Sequence, residues 1–171
     1  MSGRGRLCRR HSAVRSVPPA VVAVVLFFLQ AVFIGQLSSS TMTQEKQMQL
    51  TSPAFDHQGT IPSKYTCDGA NVSPPLAISG VPQDARSLVL VVDDPDAPGG
   101  TFVHWVVYDI APGVEAIHEN TEPGTPGSNN FNQAAYGGPC PPSGTHRYFF
   151  KLYALDRQLG PEPGRTKKQV E

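Results

Sequence analysis

Polar and apolar positions fall into two textures that meet near residue 50. Residues 1–16 hold five Arg and no acid. Residues 17–37, VPPAVVAVVLFFLQAVFIGQL, then run for 21 positions without a charge, and only Gln30 and Gln36 are strongly polar. A basic stretch ahead of an apolar one is the pattern of an export signal or a single membrane anchor. The run is near the minimum length for spanning a bilayer, so length does not separate the two. Ser38, Ser39 and Ser40 offer an imperfect cleavage site. The Arg cluster is expected to keep the N-terminus cytoplasmic while the remainder crosses the membrane. Residues 41–49 read as a polar linker.

From residue 50 the apolar positions come in short runs. Residues 88–92, LVLVV, form a β-branched run with no polar alternation, as a strand buried on both faces would show. Residues 102–110, FVHWVVYDI, predict a second strand. Residues 148–155, YFFKLYAL, predict a third and half-buried one. Its Tyr148, Phe150, Leu152 and Ala154 share one face, and Phe149, Lys151, Tyr153 and Leu155 the other. Weaker strand patterns lie at 50–55 and 76–79. Between them, residues 93–100, 112–126 and 137–144 are dense in Pro, Gly, Asn and Asp. Short strands alternating with such loops predict a mainly β domain, an antiparallel sandwich or barrel. Residues 166–171 have the look of a helix start.

Composition supports this division. Residues 51–171 contain 15 Pro and 13 Gly, so 28 of 121 positions interrupt regular structure. A helical bundle is excluded, because each interior Pro removes a hydrogen bond and clashes with the preceding turn. About 120 residues suffice for one core. The expected organisation is a signal or anchor segment at 1–40, a linker at 41–49 and one domain at 50–171. The formal net charge of zero hides an asymmetry: residues 1–50 carry six basic side chains against one acid, and residues 51–171 eight against thirteen. An acidic domain does not support nucleic-acid binding.

Two segments carry the candidate chemistry. One is Asp93-Asp94-Pro95-Asp96-Ala97-Pro98-Gly99-Gly100, running into the strand that holds His104. The other is the segment 136–148, with Cys140, Pro141, Pro142, Ser143, His146 and Tyr148. Both put acids or imidazoles at a strand end beside a Pro-stiffened loop, where groups are held with little further loss of entropy on binding. On a regular strand His104 would share a face with Phe102, Val106 and Tyr108. Two His and two Asp suit zinc in type, but no pair has helical or Cys-x-x-Cys spacing, so no metal is expected. Ser143 and Cys140 lie near His146, but outside any Gly-x-Ser-x-Gly elbow. Cys67 and Cys140 either pair, as an exported protein allows, or remain two buried thiols.

The strings DDPDAPGGTFVHWVVYDI and YGGPCPPSGTHRYFFKLYALD resemble the two signature segments of the phosphatidylethanolamine-binding protein family. The similarity is to its bacterial Raf-kinase-inhibitor-like (YbhB/YbcL-like) branch. Ser52-Pro53-Ala54-Phe55, Tyr65-Thr66-Cys67-Asp68-Gly69 and Asn71-Val72-Ser73-Pro74-Pro75-Leu76 agree with it. The resemblance spans about residues 49–171. It implies an antiparallel β-sandwich with a small pocket at one end for anionic groups such as a phosphate headgroup. Its lining would be Asp94, Asp96, Pro98, His104, Pro141, Pro142, His146 and Tyr148. It implies a ligand-binding, regulatory protein without catalysis or cofactor. A kinase or protease inhibitor is the alternative, and a hydrolase built on the Asp/His cluster a further one. In a bacterium of that branch, export leads to the periplasm or beyond, with the membrane a partner where the N-terminal segment is retained. Members of the branch usually continue past residue 168 through a helix and a last strand, so the domain is expected to lack those elements.

Asp94 and Asp96 alone would repel an anion, so donors must outweigh them. His104 and His146 are the expected donors, their charged forms favoured by the neighbouring carboxylates, Asp93 included. Binding is then expected to strengthen as pH falls from about 7.5 to about 5.5.

Overall fold

The computed structural model describes residues 47–171. The signal or anchor segment read at 1–40 and most of the linker lie outside them. Among the described residues, no helix is long and apolar enough to cross a membrane.

The described residues form seven strands, one turn of 3-10 helix (Ser63–Tyr65) and one short α-helix. The strands and the α-helix are β1 (Gln49–Thr51), β2 (Leu76–Ser79), β3 (Ser87–Asp94), β4 (Phe102–Ile110), β5 (Ala116–Ile117), β6 (Thr125–Pro126), β7 (Phe149–Leu155) and α1 (Lys167–Val170). One sheet has the order β1-β2-β5 and the other β6-β4-β3-β7. Every strand pairing is antiparallel. The expected sandwich is the observed one. The two-residue strands β5 and β6 lie in the loop stretch 112–126, too short to leave a periodic signal.

The core between the sheets joins Leu76 and Ile78 of β2 and Ile117 of β5 to Leu88, Leu90, Val92, Trp105, Val107 and Ile110, with Phe150, Leu152 and Ala154 packed beside them. A second cluster covers the other side of the larger sheet. There Val89, Val91, Val103, Val106 and Tyr108 meet Val170 of α1, Leu155 and Leu159. Strand β3 is therefore apolar on both faces, which accounts for the unalternating LVLVV run. Thr166 caps α1 reciprocally with Gln169, the arrangement a Thr-x-x-Gln start favours.

Strand β4 departs from the regular pleat. Val92 pairs with Trp105 but Asp93 pairs with Val103, so His104 is one residue too many on its strand. Such a bulge shifts the parity of everything before it. Val103, not His104, joins Val106 and Tyr108 in the outer cluster. The face-sharing expected from strict alternation is thus corrected, and the imidazole is turned toward the strand end. Asn130 holds the bulge, its side-chain Oδ1 accepting the Val103 N–H at 2.6 Å while its backbone N–H donates to Val103 O at 2.9 Å.

Asp93 faces away from the strand-end loops. Its carboxylate, wholly buried, accepts bonds from Lys151 at 2.7 Å and from Lys167 of α1. It ties the C-terminal helix to the sheet. The expectation that Asp93 stands beside the pocket is corrected, since β3 alternates and only Asp94 can face that way.

Candidate ligand-binding site

The end of the larger sheet carries a cleft of about 600 Å³, lined by the loop that follows β3, the start of β4, and Asn130, Phe131, Cys140 and Pro142. Of the residues expected in the lining, Asp94, Pro98, His104 and Pro142 are there. Asp96, Pro141, His146 and Tyr148 are not among the lining residues; Asp96 and His146 bond to Asp94, and Tyr148 packs edge-on against His104.

Asp94 ends β3 and is almost fully buried. Its Oδ1 accepts the Asp96 N–H at 2.8 Å, closing the turn, and its Oδ2 accepts Nδ1–H of His146 at 2.7 Å. A carboxylate only accepts, so the contacting nitrogen of His146 carries a proton. The side chain of Asp96 turns outward and takes three bonds from Arg147: Nε–H at 2.9 Å, a second guanidinium N–H at 2.7 Å and the backbone N–H at 2.9 Å. This fork clamps the 94–100 loop to the strand entry that holds His146 and Tyr148.

Those bonds from the Arg147 side chain, then its backbone N–H, hold the Asp96 carboxyl far below its ordinary range. A depressed carboxyl stabilises the fold above its unfolded value of about 3.9, and that contribution is lost as pH falls toward the folded value. In a carboxyl NMR titration, Asp96 is expected to remain ionised well below pH 3.9. Arg147→Ala should bring its midpoint back up toward that value. An unmoved midpoint would show that the clamp is absent in solution.

His104 is buried among aromatic edges. Phe102, Phe131 and Tyr148 lie with ring centroids 5.2, 5.4 and 5.2 Å from it. Its Nδ1 meets Gly137 O at 2.7 Å and Gly138 O at 3.2 Å. Burial outweighs the opposing pull of those carbonyls and of Asp94, and lowers its pKa. The expectation that neighbouring carboxylates raise this histidine is corrected: desolvation is the larger effect, so its neutral form is favoured. Among the described residues, the buried Tyr148 hydroxyl finds no hydrogen-bond partner. Burial, then the charge of Asp94, pushes its pKa up to about 12, which keeps it a proton donor.

The loop that holds the imidazole is fastened to the segment 65–71. Cys67 and Cys140 form a disulfide, with Cα atoms 5.4 Å apart. Cys67 N–H donates to Pro139 O at 3.0 Å, Gly138 N–H to Asn71 Oδ1 at 2.8 Å, and the Tyr136 hydroxyl to Tyr65 O at 2.7 Å. Of the two alternatives open for these cysteines, the paired one is observed. Cys140 and Phe131 also line a smaller cavity of about 150 Å³ with Asn71, Gln133, Gly137 and Gly138.

Sequence reasoning missed Asn129, Asn130 and Phe131. Buried Asn129 accepts the N–H groups of Phe131 and Gln133 and donates to Ala135 O and His104 O, which shapes the loop carrying Phe131. The available signal was the Asn-Asn-Phe-Asn-Gln string, since Asn bonds its own loop backbone readily.

Fold and site together define a β-sandwich domain with a cleft in the loops at a sheet end. Residues 51–171 match the family model described as phosphatidylethanolamine-binding protein. The chain belongs to the phosphatidylethanolamine-binding protein family. A UPF0098 protein of Methanothermobacter thermautotrophicus is 49% identical over 130 residues, covering 72% of this chain and 86% of the relative. Among solved structures, a phosphatidylethanolamine-binding protein homologue from Chlamydia trachomatis is 45% identical with a TM-score of 0.71, over 73% of this chain and 86% of that one. YbcL of E. coli, described as a member of the mammalian PEBP family, is 32% identical with a TM-score of 0.66, over 72% and 86%.

Proposed function

We propose that this domain is a non-enzymatic binding module for small ligands bearing an oxyanion, such as a phosphate or a phosphate headgroup. The observation that carries the reading is the cleft, of a size suited to one small molecule, with His104, Asp94 and the open backbone of Gly99 and Gly100 on its walls. A Cβ on either glycine would meet nothing within 4 Å, so the loop presents bare peptide to the cleft. Gly100, at φ +101, holds a conformation that L side chains rarely adopt. Stiff loops and buried, prepaired acids favour binding with little reordering. The one cysteine on the wall is consumed in a disulfide, which removes it as a nucleophile. That disulfide also supports placement in an oxidising compartment, as export through the N-terminal segment would give.

Titration calorimetry of the full chain with inorganic phosphate is expected to show one site, weakened about tenfold or more in the His104→Ala, His146→Ala double variant. No heat at either pH 5.5 or pH 7.5, or unchanged affinity in that variant, would count against the site. Turnover of a generic ester or phosphate ester by the same preparation would count against a non-enzymatic role.

A further inference from the structure

We propose that the cleft selects ligands that present a hydrogen-bond donor on or beside their oxyanion, with His104 setting this specificity. A phosphomonoester carrying its proton is then bound, and sulfate is rejected. The inference rests on the reading of the cleft as an oxyanion site.

Nδ1 of His104 faces two carbonyl oxygens, Gly137 O and Gly138 O. Carbonyls only accept, so Nδ1 carries the proton. A neutral imidazole has one N–H, and its Nε2 is therefore a lone pair. Among the described residues, Nδ1 is the ring nitrogen that finds hydrogen-bond partners. With its Nδ1 edge held against the 137–138 backbone, the ring offers its Nε2 edge to the cleft it lines. A second proton would make Nε2 a donor, but burial disfavours that charged form.

Asp94 lines the same cleft and likewise only accepts. The bonds from Asp96 N–H and His146 Nδ1–H leave lone pairs on both its oxygens. The other groups around His104 do not reverse the balance. Phe102 and Phe131 are uncharged, the Tyr148 hydroxyl is a donor but its residue does not line the cleft, and Asp94 and the more weakly acting Asp93 are acidic. His146 and Arg147 are each engaged by a carboxylate, Asp94 and Asp96 respectively. A fully deprotonated oxyanion would set lone pairs against the Nε2 and Asp94 lone pairs. A P–O–H group turns the same contact into a hydrogen bond, and leaving a buried acceptor unpaired is the costly alternative.

The test is calorimetry on the oxidised full chain at pH 5.5 with methyl phosphate, dimethyl phosphate, sulfate and glycerophosphoethanolamine. Methyl phosphate is there largely a protonated monoanion, its second pKa being about 6. Dimethyl phosphate has the same charge without the proton. Methyl phosphate is expected to bind about 10–100-fold more tightly than dimethyl phosphate or sulfate. The preference should shrink toward unity in His104→Ala. Above its second pKa its affinity should fall about tenfold per pH unit. Glycerophosphoethanolamine separates the sources of the donor. Binding would uphold the rule with a headgroup ammonium as the donor, and failure would overturn the part of the rule that admits a donor beside the oxyanion. Dimethyl phosphate and sulfate binding as well as methyl phosphate would overturn the rule while leaving an oxyanion site standing. An undiminished preference in a folded His104→Ala would overturn the assignment to His104. Should that variant not fold, the series on the unaltered chain still decides the rule. Failure of all four probes would overturn the oxyanion site itself.

Discussion

Reduction of the Cys67–Cys140 bond is expected to lower the stability of the domain by about 4 kcal/mol, the chain-entropy value for a cross-link of this span. The bond joins positions 73 residues apart. Without it the unfolded chain regains the freedom of that whole loop, and the folded state loses the tie between the 65–71 and 136–140 segments. In a domain of this size the midpoint of thermal unfolding should fall by roughly 15 °C. Denaturant unfolding of the full chain, with and without reductant, and of the Cys67→Ser, Cys140→Ser double variant gives the number. A loss below about 1 kcal/mol would mean that the Tyr136, Gly138 and Cys67 backbone bonds hold the two segments without the sulfur bridge. The same reduction should weaken phosphate binding, because Cys140 is a wall of the cleft and its neighbours Gly137 and Gly138 hold the imidazole.

The second large effect is expected from a single methyl group at Gly138. A Cβ there would lie 2.5 Å from both Asn71 Oδ1 and Tyr65 O and 3.0 Å from Thr66 Cα. Two of those three atoms are backbone in a segment already pinned by the disulfide, so the loop must move. Overpacking of this kind costs about 1–3 kcal/mol. Gly138→Ala should sit at the upper end of that range, because the displacement also strains the Gly138 N–H bond to Asn71. It should also loosen the carbonyls that orient His104, so phosphate affinity falls along with stability. Gly113→Ala is the comparison, since a Cβ there meets nothing within 4 Å. A change within about 0.5 kcal/mol is expected for it. Equal stabilities for the two alanine variants would show that the close approach at Gly138 does not persist in solution.

The strands of the larger sheet were legible in the sequence because their signal is local. A β-branched run such as LVLVV, or the alternation in FFKLYAL, encodes burial on two faces or one within a few residues. Long motifs at fixed spacing were equally legible, and they placed Asp94, Pro98, His104 and Pro142 on one cleft. Not legible was which way each of these groups would point. His104 is an extra residue in β4, where Asn130, 27 positions beyond Val103, pairs with the bulged backbone at Val103. Asp93 and Asp94 are adjacent in sequence, yet one meets Lys151 and Lys167 and the other His146, more than 50 positions away in each case.

The histidines show the same division. Sequence alone placed two imidazoles near three carboxylates, and proximity by itself argues for raised pKa values. The fold buried one of them, His104, against aromatic edges and two carbonyls, and there desolvation outweighs the nearby charge. The amino-acid sequence by itself determined the sandwich, its family and the residues gathered at one end of the sheet. The tertiary structure decided which side chains line the cleft and which form of its imidazole burial favours. Strand pattern is a property of neighbours along the chain. Hydrogen-bond direction and desolvation depend on atoms brought together from far apart.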